Sequence, residues 1–206
     1  MIVIIDYGMG NLCSIQSAIR YLGADSIISC DLEIISKAEK LILPGVGSFK
    51  KAMENLSASN LVEVINAAVN KRQTPILGIC LGMQLLGLSS MEDGFTEGFG
   101  FIDCPVERFD DKTFENLKIP HVGFDAVSIL RKSKLCDGLE DTNTDFYFTH
   151  SYRMPFTGQP YAVGICLHGK CFVAVFEKGH ICGTQFHPEK SQTNGLMLIK
   201  NFLKNY

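Results

Sequence analysis

Short apolar runs alternate with helical stretches through the first half of this chain, and that alternation limits the class of fold open to it. Ile2–Ile5 is an apolar run ended by Asp6-Tyr7-Gly8-Met9-Gly10-Asn11. Leu12, Ile15, Ile19 and Leu22 then recur at helical spacing up to Gly23. Ser26–Ser29 and Lys40–Leu43 read as further strands, the second ended by Pro44-Gly45-Val46-Gly47. Leu61, Val64, Ile65, Ala68 and Val69 mark a helix, residues 75–79 a strand and residues 81–88 another helix. Strands joined through helices need crossover connections, which build a parallel sheet with helices on both faces.

From about Asp145 the pattern changes to closely spaced strand-like runs at 146–148, 161–167, 171–176 and 181–186, with hairpin turns at His168-Gly169-Lys170 and Lys178-Gly179. A helix carrying Leu196, Ile199, Phe202 and Leu203 on one face follows. The expected fold is therefore α/β, a central mostly parallel sheet flanked by helices with an antiparallel strand extension, in one domain over residues 1–206.

Charge and composition exclude several functions. A net charge of −3 offers no basic footprint for nucleic acid. No apolar run reaches the roughly 18 residues of a membrane span, and the opening Met1-Ile2-Val3-Ile4-Ile5-Asp6 lacks the basic start of a signal peptide. A cytoplasmic location is expected. Seven of the eight cysteines (Cys13, Cys30, Cys104, Cys136, Cys166, Cys171, Cys182) stand singly in apolar segments and read as packing thiols.

Cys80 keeps different company. Gly78-Ile79-Cys80-Leu81-Gly82 joins a strand directly to a helix in the pattern of a nucleophile elbow, with cysteine in the place of serine. Such a turn strains the central residue and projects its side chain from the carboxyl end of the sheet. The helix end there favours negative charge, and so the thiolate. The Leu81 N–H would face a developing oxyanion. On the pentapeptide alone, a core cysteine beside two packing glycines reads the same.

His187-Pro188-Glu189 follows the last strand. In an extended segment residues two apart share a face, so Glu189 would accept from His187 Nδ1–H and leave the other nitrogen for a thiol proton. A lone His-x-Glu is also a common structural pair; an elbow cysteine elsewhere in the chain gives it a partner. Pro44-Gly45-Val46-Gly47-Ser48 reads either as the second half of an oxyanion hole or as a plain turn. Gly8-Met9-Gly10 lacks the third glycine of a dinucleotide loop, and no Walker lysine follows, so no cofactor is expected. Cys166, His168 and Cys171 match no common zinc spacing, and no metal is expected. His168 and His180 lie beside turns and are expected to be exposed, while His121 and His150 could line a cleft.

Taken in order, Pro44-Gly45-Val46-Gly47, then Gly78-Ile79-Cys80-Leu81-Gly82-Met83-Gln84-Leu85-Leu86, then Gly183-Thr184-Gln185-Phe186-His187-Pro188-Glu189-Lys190-Ser191 resemble the class I (triad) glutamine amidotransferases, whose sheet is flavodoxin-like. Within that class the chain is similar, over essentially its whole length, to the glutaminase subunits of imidazole glycerol phosphate synthase. Ile5-Asp6-Tyr7-Gly8-Met9-Gly10-Asn11-Leu12 and Phe146-Tyr147-Phe148-Thr149-His150-Ser151-Tyr152 carry part of that likeness. The resemblance implies a Cys80-His187-Glu189 triad and an oxyanion hole from Gly45 or Val46 with Leu81. It implies glutamine held by Gln84, Ser151 and Tyr152. It also implies a heterodimer in which ammonia passes to a (β/α)8-barrel cyclase subunit of histidine biosynthesis.

One segment departs from the family. Where histidine-pathway members carry Pro-His-Met-Gly-Trp-Asn near the partner and the ammonia path, this chain has Pro120-His121-Val122-Gly123-Phe124-Asp125. His121, Phe124 and Asp125 are therefore interface candidates. The alternatives are a similar subunit pair that supplies ammonia for an amidino sugar of surface polysaccharide, or a stand-alone glutaminase.

Overall fold

The computed structural model describes residues 1–109, 117–139 and 144–206. Along the chain run β1 (Ile2–Ile5), α1 (Leu12–Tyr21), β2 (Ser26–Ser29), α2 (Leu32–Ser36), β3 (Lys40–Leu43), α3 (Phe49–Ala58) and α4 (Leu61–Asn66). A π-helical turn at Ala67–Lys71 prolongs α4. Next come β4 (Ile76–Ile79), α5 (Leu81–Leu85), β5 (Ser89–Ser90), β6 (Thr96–Glu97), β7 (Glu107–Arg108), β8 (His121–Ala126) and β9 (Ser128–Ile129). β10 (Asp145–His150), β11 (Tyr152–Arg153), β12 (Ala162–His168), β13 (Lys170–Lys178), β14 (Ile181–Thr184) and α6 (Gln192–Asn205) complete it.

Eight strands form one sheet in the order β2-β1-β3-β4-β14-β13-β12-β9. The first five run parallel and the last three are joined antiparallel, as expected. Successive residues of a strand point to opposite faces, so each parallel strand feeds two cores. Val3, Ile5, Leu41 and Leu43 pack with Phe49, Leu56 and Ile65 of α3 and α4. Ile4, Ile42, Leu77 and Ile79 pack with Ile15, Ile19, Leu198 and Phe202 of α1 and α6. Burying a strand on both faces is what makes these runs continuously apolar.

Several expectations need correction. The run at 146–148 belongs to β10, which pairs with β8 in a separate two-stranded sheet rather than with the meander. The helix expected over 81–88 stops at Leu85, because Leu88 N–H donates to the Cys104 carbonyl and the chain leaves to pair β5 with β6. α2 and α3 carry their own start signals: Asp31 accepts from the N–H groups of Glu33 and Ile34, and Ser48 from that of Lys51. Cys104, Cys136, Cys166 and Cys182 are buried and Cys171 is partly so, but Cys13 and Cys30 are exposed. Those two lie outside the core, Cys13 on α1 beside Leu196 of α6 at a surface cavity and Cys30 just past the end of the edge strand β2.

Gly82 fixes how close α5 sits to the sheet. A Cβ there would lie 1.8 Å from the Leu43 carbonyl oxygen at the end of β3, a backbone atom that cannot rotate away. Gly82→Ala is expected to cost about 3 kcal/mol through forced backbone displacement, read as a lower urea midpoint at unchanged slope.

Candidate active site

Parallel strands release their functional groups along the carboxyl edge of the sheet, and three neighbours do so here. β3, β4 and β14 lie side by side with Leu43 opposite Gly78 and Gly78 opposite Gly183. The residues just beyond them are the Pro44–Gly47 turn, Cys80, and His187. Cys80 N–H donates to the Thr184 carbonyl at 2.7 Å, continuing the β4–β14 ladder into the turn. Cys80 itself has φ 54° and ψ −110°, the strained backbone of an elbow.

His187 is 2% exposed, and its Nδ1 donates to Glu189 Oε1 at 2.8 Å. The two do not share an extended segment. Pro188–Lys190 is a 3₁₀ turn, with the proline at a position where its missing N–H costs nothing, and the turn swings the carboxylate under the ring. His187 N–H donates to the Tyr147 carbonyl at 2.9 Å, and Ser191 hydroxyl donates to the His187 carbonyl at 2.6 Å. Gly195 lets α6 close on this turn, since a Cβ there would lie 1.9 Å from the Pro188 oxygen. His187 Nε2 and Glu189 Oε2 are buried with no hydrogen-bond partner among the described residues.

Electrostatics sets the resting proton. Burial works against the imidazolium, but interactions with the Cys80 sulfur and with Glu189 outweigh it and raise His187 to about 9. The ring is therefore protonated near neutral pH and faces the Cys80 sulfur, rather than waiting as a neutral base.

Cys80, Leu81 and Gln84 line a cavity of about 400 Å³ together with Val46, Gly47, Ser151 and Tyr152. Gly45 sits behind it: a Cβ there would meet the Tyr7 hydroxyl at 2.4 Å and Leu81 Cβ at 2.9 Å, so the turn packs directly on the elbow. Tyr7 donates to the Pro44 carbonyl at 2.7 Å, and burial followed by the Cys80 charge raises its phenol. Gln84 Nε2 donates to the Tyr152 carbonyl at 2.9 Å and to Gln185 Oε1 at 3.0 Å. Both amide hydrogens are thus committed, and a ligand would meet its Oε1. Gln185, buried, places its own Nε2 3.7 Å from Cys80 Sγ.

Glu92 also lines the cavity. It accepts from the Phe49 N–H at 2.8 Å, and burial raises its carboxyl. Sequence reasoning missed Tyr7, Glu92 and Gln185. Only Gln185 had a readable signal, two residues before His187 in an extended run.

His121, Phe124 and Asp125 do not border the cavity, although Pro120 and His150 do. Phe124 is 51% exposed on the outer face of β8, where it packs on Tyr147 at 5.6 Å between ring centres. His121 is buried beside His150, and burial holds them at about 4 and about 3, both neutral near neutral pH. His168 and His180, expected to be exposed, are half-buried and donate to the carbonyls of Lys118 and Val69.

A family model described as "Glutamine amidotransferase class-I" matches residues 3–206. The chain belongs to the class-I glutamine amidotransferases. "Imidazole glycerol phosphate synthase subunit HisH 1" of Campylobacter jejuni (strain RM1221) is 44% identical over 99% of this chain and 100% of its own length. "Imidazole glycerol phosphate synthase subunit HisH 2" of Methanococcus maripaludis is 46% identical over 99% of both. Among solved structures, a chain of PurLQS from Thermotoga maritima superposes with a TM-score of 0.74 at 15% identity, covering 99% of this chain and 97% of that one. At that identity the likeness concerns the fold.

The raised His187 gives this amidotransferase a pH signature. The ring must hold a proton to hand to departing ammonia, so kcat/KM for glutamine should fall as pH rises through about 9. Glu189→Gln removes a charge and an acceptor that hold the proton. It should move that alkaline limb downward and cost about tenfold or more near pH ~8. An alkaline limb unmoved by Glu189→Gln would refute the assignment.

Proposed function

We propose that this chain is the glutaminase subunit of an imidazole glycerol phosphate synthase, hydrolysing glutamine to glutamate and ammonia for the synthase partner. The observation that carries the chemistry is the Cys80-His187-Glu189 arrangement, a strained thiol and a carboxylate-bound imidazole at the ends of adjacent parallel strands. Full-length identity of 44% and 46% to the two subunits above supports the pathway.

Catalysis proceeds in two halves. Cys80 Sγ attacks the side-chain amide carbon of glutamine, and the carbonyl π electrons move onto oxygen. Backbone N–H groups of Leu81 and of Gly45 or Val46 receive that oxyanion. The intermediate collapses as the C–N bond breaks, His187 Nε2 protonates the leaving nitrogen, and ammonia departs from a glutamyl thioester. His187, now neutral, takes a proton from water, whose oxygen attacks the thioester. Glutamate leaves, and the thiolate–imidazolium pair is restored. Glu189 keeps Nδ1–H in place throughout, so that Nε2 is the atom that moves protons.

Glutamine needs an anion for its ammonium group, and Glu92 supplies one in the same cavity. Gln84 offers Oε1, and Ser151 and Tyr152 line the same cavity beside it. We take residues 1–206 as one amidotransferase domain, supported by a single sheet with strands drawn from Ile2 to Thr184. The partner we infer is a (β/α)8-barrel cyclase. Val122 and Phe124 support a docking face, since these apolar side chains stand 57% and 51% exposed on β8. A cytoplasmic location suits such a biosynthetic pair; among the described residues no helix is long and apolar enough to cross a membrane.

Cys80→Ala in the complex with the partner and its acceptor should lose glutamine hydrolysis by roughly 10³-fold or more. It should leave synthesis from added ammonia intact. The wild-type pair should also rescue a histidine auxotroph lacking this subunit. Glutaminase activity without rescue would keep the triad and assign the ammonia to another acceptor, such as an amidino sugar.

A further inference from the structure

His150 lines the active-site cavity, and its cross-strand neighbour His121 begins a row of polar groups that glutamine hydrolysis does not use. Their hydrogen positions follow from their partners. His150 Nδ1 lies 2.8 Å from the Tyr152 carbonyl, which can only accept, so Nδ1 carries hydrogen and Nε2 a lone pair. His121 Nδ1, 3.1 Å from that Nε2, must then donate, which leaves His121 Nε2 bare. The bare nitrogen faces Asp125 Oδ2 at 3.3 Å. His168 Nε2 donates to the Lys118 carbonyl at 2.8 Å, so Nδ1 is the ring nitrogen not committed to that bond.

One ligand atom from each of His121, Asp125 and His168 lies within 4.8 Å of the others. Two imidazoles and a carboxylate thus gather with ligand atoms close together, and the Cys166 thiol also hydrogen-bonds to Asp125. A cation would join these donor atoms.

We propose that His121, Asp125 and His168 bind a divalent transition-metal ion of the zinc class, with water as a fourth ligand. Nitrogen and oxygen donors in a set of three suit zinc. The 3.3 Å separation of His121 and Asp125 matches the edge of a tetrahedron with bonds of about 2.0–2.1 Å. The rings of His121 and His168 stack at 4.1 Å and 19°, so His168 completes the set by tilting from the stack. The outer shell that orients metal ligands is already built: His121 donates to His150, His168 to the Lys118 carbonyl, and Asp125 Oδ1 accepts from the Ala126 N–H at 2.8 Å. Asp125 is 41% exposed, which gives an ion its way in. Bound there, the metal would tie β8 to the far end of β12. It would do so independently of whether the active site hydrolyses glutamine.

Cobalt titration of the full chain carrying Cys80→Ala, which removes the active-site thiol as a competing ligand, tests this. One equivalent should bind with visible bands of a nitrogen and oxygen site and no thiolate charge transfer, and zinc should displace it. Asp125→Asn and His168→Gln should each weaken binding by at least about tenfold, the least that losing even an outer-shell partner costs. Nitrogen NMR of the same protein guards against a misfolded variant: two of the five histidines should take on metal-bound shifts with one equivalent of zinc. Thiolate bands, unaltered affinity in both variants, or a His121 Nε2 whose shift does not change on adding zinc would overturn the assignment.

Discussion

Everything at this site depends on β14 lying parallel to β4. That pairing sets Gly183 beside Gly78 and Thr184 beside Ile79. It also lets the Thr184 carbonyl receive the Cys80 N–H as the chain turns. A slip of one residue would send Cys80 or the chain leading to His187 to the opposite face of the sheet. Such a slip is resisted from both sides. β14 is buried throughout, and Gly183 leaves room for the Phe176 ring and Met83 that pack against it. The catalytic register is thus a consequence of core packing, and the strained Cys80 backbone is held by strands that gain from being where they are.

The same register explains the need for an antiparallel extension. His187 lies more than a hundred residues beyond Cys80, and its strand must enter the sheet next to β4 from the far side. β12 and β13 form a hairpin that delivers β14 in the right direction, since β13 and β14 are antiparallel and β14 and β4 parallel. The two-stranded β8–β10 sheet then stands beside the opening. It contributes the Tyr147 carbonyl to His187 and His150 to the cavity wall, which the chain extends through Ser151 and Tyr152 just beyond β10.

Most of this frame was legible in the sequence, because a parallel strand buried on both faces leaves a continuous apolar signal, and turns such as Pro44-Gly45 and Gly78–Gly82 punctuate it. The elbow was legible for the same reason, as its glycines record a backbone approach that allows no side chain. Legibility failed where a residue acts through a contact made across the fold. Tyr7 reads as part of a strand-ending turn, yet its hydroxyl braces the Pro44 carbonyl. Glu92 reads as a loop charge, yet the packing of α3 brings it into the cavity. The extended geometry expected for His187 and Glu189 was wrong because Pro188 starts a 3₁₀ turn. The hydrogen bond survived because both geometries bring the two side chains together.

Burial alone does not decide what a histidine does here. His187, His150 and His121 all lie almost out of solvent, and desolvation pushes each toward neutrality. His187 escapes because its two neighbours are a thiol and a carboxylate, each able to carry the opposing charge. At His150 burial dominates over the bond to the Tyr152 carbonyl, and His121, His168 and His187 push the ring further down in that order. Of these three rings, only the one bonded to Glu189 holds an extra proton near neutral pH. The leaving nitrogen then has one proton donor at the thiol, and the histidines behind it keep their lone pairs.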